Sequence, residues 1–550
     1  MICVVTLALL ELFHAVGPAV AEQAPQYFAN PICEGADPWM IQYDGHYLAC
    51  FSEANRAISV QSSDRLTVLG ARRVVWNAPE SGPASQEIWA PELHRLGGRW
   101  YIYFAASEGQ NKDHRAWVLQ SAGTDPFGPY TLHGPLYTGD DPDLLAHNRW
   151  AIDLTVFESG NRLYAIWSGW QDQQDIQHLY IGPMRDPVTM AAPRVRLCAN
   201  DDFLWERVDE TAQGRGLNEA PEVLQHDDRT FVTFSCSGSW QPSYKIGLLE
   251  LKPGTDPLQS QDWIKYPKPA FESTATTYGV GHNSFVKSPD GTEDWLIYHA
   301  KLDRQNGWRR AVFAQPFTWG ADGLPDFGRP VASGQLLRAP SGQRVHCITG
   351  ARRFQFVNAN DLENWSYFGH HQLVRVEGGK LFLGEPRGQA INQFRSGEKV
   401  VFDGGLWTNF ILTVKIRPLE QHGQSGALFR VNTPFLGYNG QRGYFAGIDS
   451  DKKSLVLGFT DGNAWRQIAS APFTPPDGAE CEMKITARRN EIEIDCNGER
   501  LLQTRDSSFD FGSIGLRVVD TRAGFSDLQI TPLEPDSPAS VVTTHDSPQR

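Results

Sequence analysis

Beyond the first 25 of its 550 residues, the sequence has no apolar run of about 18, so no membrane-spanning helix is expected. It also contains no C-x-x-C pair, no H-E-x-x-H and no phosphate-binding glycine loop. The usual signals for zinc and nucleotide chemistry are therefore missing. Basic residues are in deficit: 50 Lys and Arg stand against 64 Asp and Glu, a net charge of −14. That balance argues against a nucleic-acid partner, because phosphate backbones are held by excess Lys and Arg. Cysteine is sparse. Eight are present, one of them Cys3, and the other seven are odd in number and widely spaced, which is not a disulfide framework. Long windows of helical periodicity are absent as well.

Aromatic rings and turn residues are plentiful: 17 Trp, 16 Tyr, 51 Gly and 35 Pro. At roughly 100–200 residues per domain the length allows two to four domains. Residues 2–10 (ICVVTLALL) are apolar, and Ala19-Val20-Ala21 is a small-x-small site. Residues 1–21 thus read as a signal peptide cut before Glu22, and the protein as secreted or periplasmic.

Five segments share one pattern, a short apolar strand, a Gly- or Asp-containing turn, and a second strand rich in Tyr, Phe and Trp. They begin at Asp37, Trp89, Asp153, Glu219 and His282, 52 to 66 residues apart. Turns such as Asp44-Gly45 and Gly97-Gly98 between apolar runs are hairpin signals. Each repeat is the right length for a four-stranded sheet. Five such sheets arranged radially predict an all-β, five-bladed propeller over residues 27–335.

In a propeller the innermost strand of each blade runs along the central channel. The residues opening those strands, Asp37, Trp89, Asp153, Glu219 and His282, are expected to converge on one mouth. Three carboxylates gathered there repel one another unless they are used. Two carboxylates flanking a glycosidic bond can hydrolyse it, and a third can raise the pKa of the proton donor. Trp39, Trp89, Trp167, Trp170 and Trp240 lie near the expected mouth and offer flat surfaces for sugar rings. Glu92 and Glu222 stand three positions past the opening residues. An odd offset turns them to the other strand face, so they are read as structural. Glu34 is read as a loop residue.

The segments ADPW (36–39), WAPEL (89–93), AIDLTVF (151–157), NEAPEVL (218–224) and GHNSFVKSPDG (281–291) resemble glycoside hydrolase family 43. The resemblance implies a five-bladed propeller and inversion of anomeric configuration. It implies Asp37 as general base, Glu219 as general acid and Asp153 as the residue that tunes and orients Glu219. Arg310 corresponds to an arginine near the active site. With Trp39, Trp89 and Trp170, it completes the expected substrate-binding set. His282 corresponds to a histidine that helps hold a hydrated calcium ion in the channel. That ion is structural, and the chemistry requires no cofactor. The similarity favours an exo-acting α-L-arabinofuranosidase acting on arabinose-containing plant glycans. A β-xylosidase or galactofuranosidase of the same family, or a non-catalytic lectin-like propeller, remains an alternative.

After Arg329-Pro330 the repeats stop. Residues 336–349 read as a linker. Residues 350–533 alternate apolar and polar positions in many short strands, predicting a two-sheet β-sandwich. Its ending, GSIGLRVVDTRAGFSDLQI, resembles concanavalin-like and laminin-G-like jelly rolls. A carbohydrate-binding module, with Trp407, Tyr438, Tyr444 and Trp465 as platforms, and a packing appendage are the two readings of this part. Residues 534–550, rich in Ser, Pro and Thr, read as a disordered tail.

Overall fold

A computed structural model describes residues 26–534 except 145, 173, 345, 389–396 and 476–477. The expected signal peptide and nearly all of the expected tail lie outside the described residues. Among those described, the only helical pieces are short 3-10 turns.

Five antiparallel sheets form the N-terminal part. The first holds Trp39–Tyr43, His46–Glu53, Ala57–Ser63 and Arg73–Asn77. The second holds Gln86–Leu96, Arg99–Ser107, Arg115–Ser121 and Tyr130–His133. In the third, Ala151–Ser159, Arg162–Trp170 and Gln177–Asp186 are followed by two short outer strands. The fourth is Asn218–His226, Arg229–Cys236, Lys245–Leu251 and Trp263–Lys265. The fifth is built from Tyr278–Lys287, Asp294–Lys301 and Arg310–Trp319, and its next strand is Cys33–Glu34 from the start of the chain. The innermost strands of successive sheets pack side by side, and that of the fifth returns to that of the first, closing a five-bladed propeller. Tight turns make the hairpins possible: Asp44 and Gly45 both take positive φ, 50° and 75°, as the twist of a two-residue hairpin demands.

The innermost strands are not regular. Register shifts fall between Trp89 and Glu92, Ile152 and Thr155, Glu219 and Glu222, and Gly281 and Asn283. Ala90, Asp153, Ala220 and His282 in these bulges take φ between 44° and 53°, and Asp37 takes 51°. A bulge adds a residue and re-aims the side chains beside it.

The C-terminal part is a sandwich. One sheet runs in the order Val374–Glu377, Lys380–Gly384, Arg522–Pro532, Phe410–Pro418, Cys481–Arg488, Glu491–Cys496, Glu499–Arg505. The other is ordered Trp365–Phe368, Lys399–Phe402, Ser513–Val519, Gln424–Asn432, Arg442–Asp449, Ser454–Asp461, Trp465–Pro472. Alternation drives it: Phe410, Leu412, Val414 and Ile416 point into the core, while the residues between them are only partly covered. Trp407 and Tyr444, proposed as sugar platforms, lie in this core.

The two parts are joined by more than a connecting segment. Leu336–Arg338, in the expected linker, pairs with Tyr27–Ala29. Leu436 of the sandwich packs into the apolar cluster of the fifth blade, and its N–H donates to the Pro31 carbonyl at 3.0 Å. His346 meets Asp64 at 3.0 Å, and Arg65 meets Asp403 at 3.5 Å.

Candidate active site

Asp37, Asp153, Glu219, His282, Arg310 and Trp89 line one cavity of about 640 Å³ at the mouth of the propeller channel. Trp39 and Trp170 do not line it, which corrects the expectation for both. Trp39 is buried between the first two blades, donating its indole N–H to the Leu93 carbonyl at 2.8 Å. Trp170 is buried against Trp150, with rings 4.8 Å apart and nearly parallel, and it is Trp150 that reaches the cavity. Trp167 is wholly buried.

Asp37 is surrounded by cations and donors. Arg310 Nη1 donates to its Oδ1 at 3.0 Å, and His282 Nδ1 lies 3.2 Å from the same oxygen. Burial opposes ionisation, but Arg310 and His282 outweigh it and hold the Asp37 carboxyl well below the usual range. His299 Nδ1 accepts the Asp37 backbone N–H at 3.2 Å. Complete burial pushes the His299 pKa down to about 3, so its ring is neutral. Its 3.3 Å approach to Asp37 Oδ1 is therefore not an ion pair. The side chain of Asp37 remains 22% exposed.

Glu219 has the opposite environment. Tyr244 donates its hydroxyl to Oε1 at 2.8 Å, and Gln177 Nε2 donates to Oε2 at 3.2 Å. Burial, followed by the charge of Asp153, pushes its pKa up to about 7. Asp153 is itself buried, and its Oδ2 accepts the N–H of Ala220, the residue after Glu219, at 3.0 Å. Burial raises its pKa too, partly countered by His282. Arg215, close to Glu219, lies over the face of Trp240, and Trp240 packs against the exposed Trp308. These three residues line the cavity near Glu219.

The bulges change the meaning of Glu92 and Glu222. With an extra residue inserted, the odd offset no longer turns them away from the channel. Glu92 feels the charges of Glu222 and Asp153 and bonds to Thr155, so side chains from three blades meet beneath the site. Burial drives both carboxyls far upward, toward the neutral form. His94 Nε2 lies 2.9 Å from Glu92, and burial pushes its pKa down to about 3.

The calcium expected at His282 is a hydrated ion, whose shell would be mostly water. Among the described residues, no group of three or more His, Cys, Asp or Glu side chains is placed to hold a metal ion. Burial lowers the pKa of His282, but Asp37 and Asp153 outweigh it and favour the imidazolium, which has no lone pair for a metal. Direct ligation by His282 does not fit this ionisation, and no step below passes through an ion.

Residues 28–325 match the family described as Glycosyl hydrolases family 43. The chain belongs to glycosyl hydrolase family 43. Within the family, it is similar to Alpha-L-arabinofuranosidase 43 of Humicola insolens, 32% identical over 334 residues that span 58% of this chain and 66% of the relative. It is also similar to an extracellular exo-alpha-(1->5)-L-arabinofuranosidase of Streptomyces chartreusis, 34% identical over 52% of this chain and 86% of the relative. The crystal structure of alpha-L-arabinofuranosidase from Lactobacillus brevis superimposes with a TM-score of 0.51 at 32% identity, covering 56% of this chain and 98% of that one. The chain thus spans just under two thirds of the Humicola protein. Residues 354–531 match a second family, the 3-keto-alpha-glucoside-1,2-lyase-like domain.

Tyr244, Gln177, His299, Trp150 and Arg215 were not anticipated from the sequence. Tyr244, Gln177 and His299 sit on or beside second and third blade strands, outside the motifs, and no local pattern marks them. Glu34, expected in a loop, belongs to the strand that joins the fifth blade.

Proposed function

We propose that the chain is an exo-acting, inverting glycoside hydrolase that releases terminal α-L-arabinofuranosyl residues from arabinose-containing plant glycans. The observation that carries this reading is the opposed ionisation of two carboxyls in one cavity. Arg310 and His282 keep Asp37 as a carboxylate, while burial and Asp153 keep a proton on Glu219 up to about pH 7. Asp37 takes a proton from water as the water attacks the anomeric carbon. Glu219 gives its proton to the departing oxygen. Asp153, bonded to the amide after Glu219, orients the donor and discourages its ionisation. Trp89, stacked on His114 with rings 3.9 Å apart, presents a rigid ring to the sugar. The reaction runs on the chain's own side chains and draws on no cofactor.

The furanoside assignment is supported by the arabinofuranosidase names of the relatives at 32–34% identity. Export is supported by the extracellular Streptomyces relative and the apolar residues 2–10. The deciding experiment offers 4-nitrophenyl α-L-arabinofuranoside, its β-D-xyloside and β-D-galactofuranoside counterparts, and a linear arabino-oligosaccharide. Arabinose released one residue at a time, first seen by NMR as the inverted anomer, is the expected result. Faster xylose or galactofuranose release would move the assignment within the family. No release at any pH would favour a lectin-like propeller.

A further inference from the structure

Among the described residues, the sandwich reaches the catalytic cavity through one side chain. His371, in the turn His371–Leu373 shortly after the strand Trp365–Phe368, lines the same cavity as Asp37, Asp153 and Glu219. Both of its ring nitrogens face propeller carboxylates: Nδ1 is 3.1 Å from Glu34 Oε2, and Nε2 is 2.6 Å from Glu53 Oε2. Its backbone N–H also donates to Glu34 Oε2, at 3.2 Å. Only the imidazolium can donate from both nitrogens at once. Arg72 completes the cluster, donating to Glu53 Oε1 at 2.8 Å and to the Glu34 carbonyl at 3.1 Å.

The turn is held equally firmly from its own side. His370, its neighbour, donates its N–H to Glu398 Oε2 at 2.9 Å and sets Nδ1 3.0 Å from Oε1, and the Tyr367 hydroxyl bonds to the same carboxylate. Glu34, Glu53 and Arg72 from the propeller are thus the charged groups acting on His371, while Glu398, Glu34 and Glu385 act on its neighbour His370.

Glu34 lies three residues before Asp37. Its strand pairs with Arg310–Trp319, where Glu34 sits opposite Ala311, next to the arginine that grips Asp37. Gly35, in between, has φ of 150°, and a Cβ there would lie 3.3 Å from the Phe51 ring, so the segment has little freedom on that side. Behind it lies a second cavity of about 290 Å³, between the two domains. Glu34, Arg72 and His371 line both cavities and form the wall between them. If their bonds open, the wall has empty space behind it.

We propose that His371 is a positioning residue for the hydrolysis: the sandwich, clamping Glu34 and Glu53 through His371, fixes the short segment that places Asp37 against the attacking water. The sandwich is then neither a detachable sugar-binding module nor only a packing appendage. Its contribution is exerted on the base, not on the acid. This inference rests on the reading of Asp37 as general base given above.

The pH dependence follows from the same contacts. Burial disfavours the charged ring, but the bonds to Glu34 and Glu53 outweigh it and raise the His371 pKa above its ordinary value. The clamp is complete below that ordinary value, near 6.5, and is lost as pH rises through the raised one.

The test uses full-length His371→Ala and His371→Gln. A dinitrophenyl α-L-arabinofuranoside, whose leaving group departs without a proton, reports the base step alone. An arabino-oligosaccharide needs both acid and base. The alanine variant is expected to lower kcat on both substrates by the same factor, on the order of tenfold, with KM changed far less, since small misplacements of reacting groups cost rate. The glutamine variant, able to donate one bond, should recover part of the loss. With the dinitrophenyl substrate the wild type should lose activity at alkaline pH, and His371→Gln should remove that limb. Unchanged kcat with a lowered Tm would overturn the proposal and leave His371 a structural tie. A loss confined to the oligosaccharide would overturn it in favour of contact with the leaving group. If His371→Ala does not fold, His371→Gln decides alone. Activity surviving Asp37→Ala would instead remove the reading beneath, and the clamp's role with it.

Discussion

The centre of the propeller and the centre of the sandwich are built on opposite terms. The main apolar cluster of the sandwich, from Phe356 through Ile530, packs aliphatic and aromatic side chains with two thiols, and the cations buried in that domain rest on backbone carbonyls, Arg430 on those of Thr408 and Phe509 and Lys399 on that of Gly437. The channel of the propeller buries Glu92, Asp153, Glu219, Glu222 and His282 together, with Asp37 partly covered above them. An apolar core is favoured by area alone, whereas like charges out of water cost free energy that only protonation, pairing or chemistry relieves. Here all three are visible: Glu92 and Glu222 are driven neutral, Asp37 is paired with Arg310, and Glu219 keeps its proton for use. Carboxyls gathered at one centre therefore mark the working region, and the largely apolar core marks the supporting one.

That contrast can be broken experimentally. The largest effect is expected at the channel mouth. Asp37→Ala and Glu219→Ala should each cut kcat/KM on an oligosaccharide by about 10²–10⁴-fold, with unchanged circular dichroism. Only Glu219→Ala should recover on a dinitrophenyl substrate. Next comes the dry core. Trp407→Ala removes a fully enclosed ring and should cost about 3–5 kcal/mol in denaturant unfolding, yet leave kcat at 25 °C unchanged while the chain stays folded. A large kcat defect there would show the two regions to be less separate than their interiors suggest.

Subtler effects test the charges themselves. The negative charge of Asp153 raises the Glu219 pKa. Asp153→Asn should therefore move the alkaline limb of the pH–kcat profile to lower pH, besides lowering the maximum. Smallest is Glu92→Gln. The carboxyl is held neutral in the fold but ionises in the unfolded chain above about pH 4.3, so the wild type loses stability as pH rises. The amide should match the wild-type Tm near pH 4 and exceed it at pH 8. An equal Tm at both values would mean that Glu92 is already ionised in the channel.

The sequence shows the repeat and the three acids because hairpin turns and apolar runs recur at constant offsets around Asp37, Asp153 and Glu219. It misplaces Glu92 and Glu222 because strict alternation holds only for an unbulged strand, and a bulge leaves no mark in the pattern of apolar residues. Trp39 and Trp170 stand close to catalytic motifs along the chain, but their rings face neighbouring strands instead of the cavity. His371 is invisible for a different reason. Its partners Glu34 and Glu53 lie more than 300 residues earlier, and nothing local encodes a contact between domains. The same holds for Tyr244 and His299, whose roles depend on which blade edge faces the axis.

The strand Cys33–Glu34 has one further consequence. Synthesised well before the fifth blade, it takes its place against Arg310–Trp319, and Asp37 meets Arg310 across 273 residues. On the ribosome, the base and its arginine therefore stay apart until the fifth blade has emerged, and His371 arrives later still. Contacts of such long range are slow to form. A nascent or truncated chain can carry all three acids and still have no assembled site until the fifth blade closes the ring.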